Sequence, residues 1–266
     1  MYSFFTPAKF LPEGCGFQRY GLGHLLWLAA IGLFTAVLCH YGRKLSKARR
    51  LTLARVLAYT QVCLELVRDI YLIAAGGWKW NYLPLHPCSF TILFMALWAA
   101  KPSRRLGNIL YGFGLVGALA ALVFCDWTDQ PLWQFQSVYS FQCHGMMVAY
   151  ILMLLVCGDI RPQGNGMRDC VIYLCAAVPV TMVVNHLLPE CNFFFTNTGS
   201  KGQPSGNTHQ DIRHTLVADR LWDSCPCASC PGIPALENAG EGCCSRIKGY
   251  FCAQQVWMRT IMQEVR

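Results

Sequence analysis

LGHLLWLAAIGLFTAVLCHY, residues 22–41, holds no lysine, arginine, aspartate or glutamate. At about 1.5 Å of rise per residue, a helix of this length crosses a hydrocarbon layer. Directly after it come Arg43, Lys44, Lys47, Arg49, Arg50 and Arg55, the strongest basic cluster in the chain. An apolar run of membrane length that ends in such a cluster reads as a transmembrane span leaving on the cytoplasmic side.

The rest of the chain repeats the pattern. Hydrophobic residues make up 54% of it and charged residues only 14%, with mean hydropathy +0.32, which excludes an ordinary soluble domain. A formal net charge of +8 could suggest nucleic acid. The basic residues instead sit in short segments between apolar runs, so nucleic acid is not expected as a partner and membrane lipids are. Further spans are expected at 53–76, 87–100, 106–124, 138–156 and 170–188, giving an all-α polytopic transmembrane bundle of about six helices. Gly107, Gly112, Gly114 and Gly117 in the fourth suit close helix contact.

Basic residues follow spans one, three and five; the turns after two and four hold only Lys79 and the aspartates Asp126 and Asp129. This alternation places the N-terminus outside, in a multi-pass protein of the cell membrane. No basic segment leading to a cleavage site opens the chain, so no removable signal peptide is expected. Most of the 16 cysteines, Cys39, Cys63, Cys125 and Cys157 among them, lie in or beside apolar runs and read as small hydrophobes.

Two domains are expected, the bundle over 1–195 and a poorly ordered, Cys-rich tail over 196–266. The tail opens on a Gly/Ser/Thr/Asn-rich segment, and only 256–265 suits a short amphipathic helix. Cys225-Pro-Cys-Ala-Ser-Cys230, with Cys243 and Cys244, has the composition of a metal cluster but no completing pair, so no metal is expected there.

Function concentrates at Tyr82-Leu-Pro-Leu-His-Pro-Cys-Ser-Phe90. The residue before a proline is pushed to extended geometry, so Pro84 to His86 is expected to run extended. Pro87 suits the first position of a helix, placing Cys88 in its first turn, where unpaired N–H groups and the helix dipole favour a thiolate. Desolvation opposes this, and the plainer reading is a membrane-entry turn with a packed cysteine. The expected orientation brings His86, Cys88, His144, Asn185 and His186 to one level in the outer half. Gln61, Glu65, Arg68 and Asp69 share one face of span two at that level. Ionisable groups in a membrane are costly and should face the interior and pair. The charged trio therefore either neutralises itself or supports a site. A metal held by His86, Cys88, His144 and His186 would rest on His-x-Cys spacing alone, so no metal or other cofactor is expected.

Several segments carry a likeness: Gly23-His-Leu-Leu-Trp27, Tyr82-Leu-Pro-Leu-His-Pro-Cys-Ser89, Gly117-Ala-Leu-Ala-Ala-Leu122 with Asp126-Trp127, His144 with Ala149-Tyr150, Ile160-Arg161-Pro162, and Asn192-Phe-Phe-Phe195. In this order they resemble the YwaF-type family of integral membrane proteins over roughly residues 5–200. The resemblance implies a polytopic bundle similar to a eukaryotic transmembrane acyltransferase that remodels ether phospholipids through a cysteine in a Leu-His-x-Cys motif. It implicates Cys88 as acyl acceptor, His86 and His144 as bases, and Asn192 in support. Family members continue beyond Asn-Phe-Phe-Phe into one more apolar span. Here the chain past about Lys201 has none, as a divergent end or a shifted reading frame would produce. The competing class is a membrane transporter or lipid-binding protein whose polar cluster holds a headgroup or relays protons. Acyl donor, acceptor and oligomeric state are not encoded in any motif.

Overall fold

The computed structural model describes residues 3–162 and 166–195, and these are all helix and connecting turns. The helices are α1 (Leu22–Lys44), α2 (Lys47–Ala74), α3 (Pro87–Ala100), α4 (Arg104–Val123), α5 (Phe135–Val156) and α6 (Gly166–Leu187). The expected Cys-rich tail over 196–266 lies outside the described residues. Five helical stretches among the described residues are long and apolar enough to cross a membrane, the second of them running Trp80–Ala100 and so including the turn before α3. α2 is longer, at 28 residues, but carries basic residues at its start and the Glu65–Arg68–Asp69 charges further on.

Helix starts follow capping chemistry rather than hydropathy. α2 begins six residues before the expected 53, because the Ser46 side chain accepts the Arg49 N–H and the helix runs on through the basic cluster. Gln134 does the same for α5, its Oε1 accepting the N–H groups of Gln136 (2.7 Å) and Ser137 (3.3 Å). α4 contains a π-helical segment over Leu110–Leu115 that no hydropathy pattern announces.

α5 is the central helix, with Phe141, Met147, Tyr150, Ile151 and Met153 all fully enclosed. α1 lies along it, and the approach is close because Gly145 faces Ile31, where a Cβ would come within 2.9 Å. Tyr150 ties α5 to α3 by donating to the Met95 carbonyl at 3.2 Å. Three of the four α4 glycines sit at tight contacts: Gly107 faces Ile160, Gly112 faces Cys170 and Gly114 faces Thr91. Gly117 has open space and does not serve as a contact glycine. Large apolar side chains such as Leu22, Leu33, Ile70, Ile172 and Leu187 point outward, as a lipid-facing bundle requires.

Successive helices run in opposite directions, so the chain has two ends. At one end Arg50 pairs with Asp159, which follows α5; its Nη2 donates to Oδ1 at 2.9 Å and its Nε to Oδ2. Arg50 Nη1 also donates to the Leu45 carbonyl at 3.0 Å, closing the α1–α2 turn. Both side chains are largely buried, 11% and 4% exposed. Removing one member of such a pair leaves the other charge unpaired, at a cost of about 3–5 kcal/mol. Asp159→Asn is expected to lower the thermal midpoint of the detergent-solubilised protein by several degrees. The double change Arg50→Met with Asp159→Leu should recover much of that loss. An Asp159→Asn protein as stable as the parent would show that this pair does not hold the end together.

Candidate functional site

The other end of the bundle gathers the Leu-His-Pro-Cys stretch. Leu83 and His86, each before a proline, are extended, with ψ 144° and 153°. The expected straight run from Pro84 to His86 is not formed. Pro84 and Leu85 make a turn, with the Leu85 N–H on the Leu83 carbonyl at 2.7 Å. This bend lets the chain enter α3 from the Trp80–Tyr82 turn. His86 is the N-cap of α3, Pro87 its first residue, and the first helical bond is Phe90 N–H to the His86 carbonyl at 3.2 Å. The N–H groups of Cys88 and Ser89 therefore precede the helical ladder.

Cys88 is half-buried against the bundle core. The charges of Glu65 and Arg68 of α2 act on it. The Ser89 hydroxyl donates to Glu65 Oε1 at 2.6 Å in a buried position. Arg68 bonds Asp69 at 2.6 Å and approaches Glu65 at 3.7 Å. Its guanidinium lies over the Tyr139 ring of α5, 5.0 Å from the centroid. Gln142 of α5 donates to Gln61 of α2 at 2.9 Å. The polar face of α2 thus reaches α3 beside Cys88 through Glu65, and α5 at two points through Gln61 and Arg68. Glu65, Arg68 and Asp69 both neutralise one another and brace the residue next to Cys88.

Both candidate histidines are held by backbone carbonyls, which only accept. His86 Nε2 donates to the Asn81 carbonyl at 2.8 Å, leaving its Nδ1 lone pair available in the neutral ring. His144 Nδ1 donates to the Ser140 carbonyl at 2.7 Å, so its basic nitrogen is Nε2. The His144 ring stacks on Trp127 at 5.4 Å and 11°, and the His86 ring meets Phe193 edge-on at 4.9 Å. No hydrogen bond among the described residues joins Cys88 to either histidine.

The Asn-Phe-Phe-Phe element folds back onto this end. Asn185 of α6 clamps Phe193 in both directions, Nδ2 to its carbonyl and Oδ1 from its N–H, each at 2.9 Å. The Asn192 N–H donates to Asn81 Oδ1 at 3.2 Å. Phe194 has a left-handed backbone, φ 56°, unusual for a bulky residue and held by ring contacts with Phe90 and Phe113. Asn185 and Asn192 therefore support the stretch over His86. His186, next along α6, is exposed, and no hydrogen bond among the described residues brings it to the site. Cys191 is buried, and burial with the neighbouring Glu190 charge pushes its thiol up, as for a packed thiol rather than a second nucleophile.

Three residues outside the expected set complete the arrangement. Asn81 joins His86 to Asn192, and beyond being, with Lys79, one of two polar residues in the aromatic turn Trp78–Tyr82 it has no mark in the sequence. Trp127 backs His144, a stacking role that its place beside Asp126 in the sequence does not announce. His24, of the Gly-His-Leu-Leu-Trp segment, is fully buried, accepting the Tyr20 N–H at Nδ1 and donating to the Leu122 carbonyl at 2.9 Å. With both ring nitrogens engaged, it fastens α1 to the end of α4. Among the described residues no group of three His, Cys, Asp or Glu side chains is placed to hold a metal ion.

No curated protein and no solved structure matches the chain. A family profile does, over residues 19–206, a stretch that takes in all six helices and every residue of the site just described. By that match the chain belongs to the TMEM164 family.

Proposed function

We propose that the protein is a membrane acyltransferase that takes an acyl chain from a phospholipid onto Cys88 and passes it to a lipid acceptor. The observation that carries this reading is the pair of histidines, each fixed by a backbone carbonyl in the tautomer that leaves its other nitrogen basic, in the half of the bundle where Cys88 sits. The likeness of the Leu-His-Pro-Cys segment and its companions to YwaF-type proteins supports the same chemistry. In the forward half-reaction the thiol proton passes to a histidine nitrogen and the sulfur attacks the ester carbonyl. The N–H groups of Cys88 and Ser89, free of the helical ladder, face the developing oxyanion. The ester C–O bond breaks, a C–S thioester bond forms, and the leaving alkoxide takes the proton back to give a lysolipid. In the second half-reaction an acceptor hydroxyl attacks the thioester as its proton moves to the histidine, an ester C–O bond forms, the C–S bond breaks, and the histidine returns the proton to the Cys88 sulfur.

Cys88→Ser is expected to abolish acyl transfer while leaving membrane insertion intact, since the change in volume is small. His144→Gln should lower the rate of Cys88 acylation by roughly 10²–10⁴-fold with little effect on lipid binding, because a base acts in the chemical step. Intact-mass detection of acyl-Cys88 after incubation with phospholipid reads both. Lipid flux across vesicles without any acyl adduct would favour transport instead.

The reading also places the site on the extracytoplasmic side. Arg43, Lys44, Lys47, Arg49, Arg50, Lys101, Arg104 and Arg105 all lie at the Arg50–Asp159 end, and the positive-inside rule directs that end to the cytoplasm. Cysteines introduced singly at residues 44–55 should resist an impermeant thiol reagent in intact cells and react once the membrane is opened. Labelling of intact cells there would reverse the assigned orientation.

A further inference from the structure

Trp78, Lys79, Trp80 and Asn81, before α3, and Glu190, after α6, line a half-open pocket of about 260 Å³. It belongs to the site end, because Asn81 forms part of its wall and bonds His86. Its two walls are pinned together by the Asn192 N–H on Asn81 Oδ1, and Trp78 is backed by the Tyr82 ring at 6.0 Å. The pocket therefore exists without a ligand. Lys79 and Glu190 are both exposed, and the ion pairs of the described residues do not include one between them. One cation, one anion and an exposed tryptophan thus share a small cavity in a Trp-Lys-Trp-Asn-Tyr turn, whose aromatic composition suits a membrane surface.

From this we infer that the pocket binds the headgroup of a zwitterionic phospholipid. Lys79 and the Asn81 amide meet the phosphate; Glu190 and the face of Trp80 meet the ammonium. An anionic headgroup satisfies only Lys79 and brings like charge to Glu190. A free phosphate leaves Glu190 and Trp80 without a partner. The assignment deepens the acyl-transfer reading by naming the lipid class that docks beside His86. It is measured by binding, so the two can fail separately.

The test uses the full chain carrying Cys88→Ser, purified in non-ionic detergent. Native mass spectrometry with equimolar phosphatidylcholine, phosphatidylethanolamine and phosphatidylglycerol reads the bound lipid. The two zwitterionic lipids should be retained over phosphatidylglycerol. Glu190→Gln should weaken them roughly tenfold and leave phosphatidylglycerol unchanged or improved; Lys79→Gln should weaken all three. Trp80→Leu should affect phosphatidylcholine most, as its quaternary ammonium depends most on the ring. These side chains are exposed, so thermal midpoints should stay at the parent value and separate lost binding from lost folding. Glycerophosphocholine should displace the lipid where inorganic phosphate does not. Equal retention of all three lipids, an equal effect of Glu190→Gln on all three, or equal displacement by phosphate would each overturn the proposal. Retained binding in Cys88→Ser combined with no acylation of the parent chain would defeat the acyl-transfer reading and leave the headgroup site standing.

Discussion

The Ser89–Glu65 hydrogen bond is the contact on which the site end depends. A carboxyl on a membrane helix has no water to turn to, and an unpartnered one is expensive. Glu65 meets this with Ser89 at 2.6 Å and with the more distant Arg68, which itself is occupied by Asp69 and the Tyr139 ring. Satisfying one acidic side chain thereby draws the start of α3 onto α2 and brings α5 across both. Since Ser89 follows Cys88 directly, the same contact fixes where the sulfur can stand. Beside the basic residues at its start, this inner face makes α2 the least apolar of the six helices.

A second constraint acts from the far side of His86. Prolines at 84 and 87 remove two N–H donors from this stretch, so apart from the single Leu85–Leu83 bond it makes little structure of its own before α3. Its geometry is supplied by neighbours: the Asn81 carbonyl takes the His86 ring, Asn81 Oδ1 takes the Asn192 N–H, and Asn185 holds Phe193 against that ring. The strained backbone at Phe194 fits this view, since a left-handed phenylalanine persists only where surrounding contacts over-determine it. The segment after α6 is part of the architecture of the site rather than an exit from the bundle.

The fold was legible because membrane insertion writes itself along the chain. Apolar runs and basic loops are one-dimensional signals, and six helices emerge close to where residues 22–188 announce them. Departures fall where a different force decides. Ser46 and Gln134 start helices by capping before the apolar residues begin, and Gly117 proves spacious because no neighbour approaches it. At the site, residue types that must be satisfied in a membrane were legible, namely Glu65, Arg68, His86 and His144. Their partners were not. The Asn81 and Ser140 carbonyls are backbone atoms with no side-chain signature, and the stacking of Trp127 on His144 depends on how the α4–α5 connection returns across α5.

That blind spot bears on how the chemistry can work. A histidine read from sequence alone is a group of unknown tautomer, as ready to donate as to accept. Here a carbonyl accepts one N–H of each ring, and since an uncharged imidazole carries only one proton, the remaining nitrogen is a base by elimination. His86 and His144 are set this way from opposite nitrogens, Nε2 and Nδ1, so their basic atoms differ as well. His24 shows the contrast: both of its nitrogens are spent, one accepting the Tyr20 N–H and one donating to Leu122. Three histidines share this end of the bundle, all flanked by aromatic rings, and hydrogen bonding separates one with both ring nitrogens engaged from two that each bond a single carbonyl. The backbone makes the distinction physical.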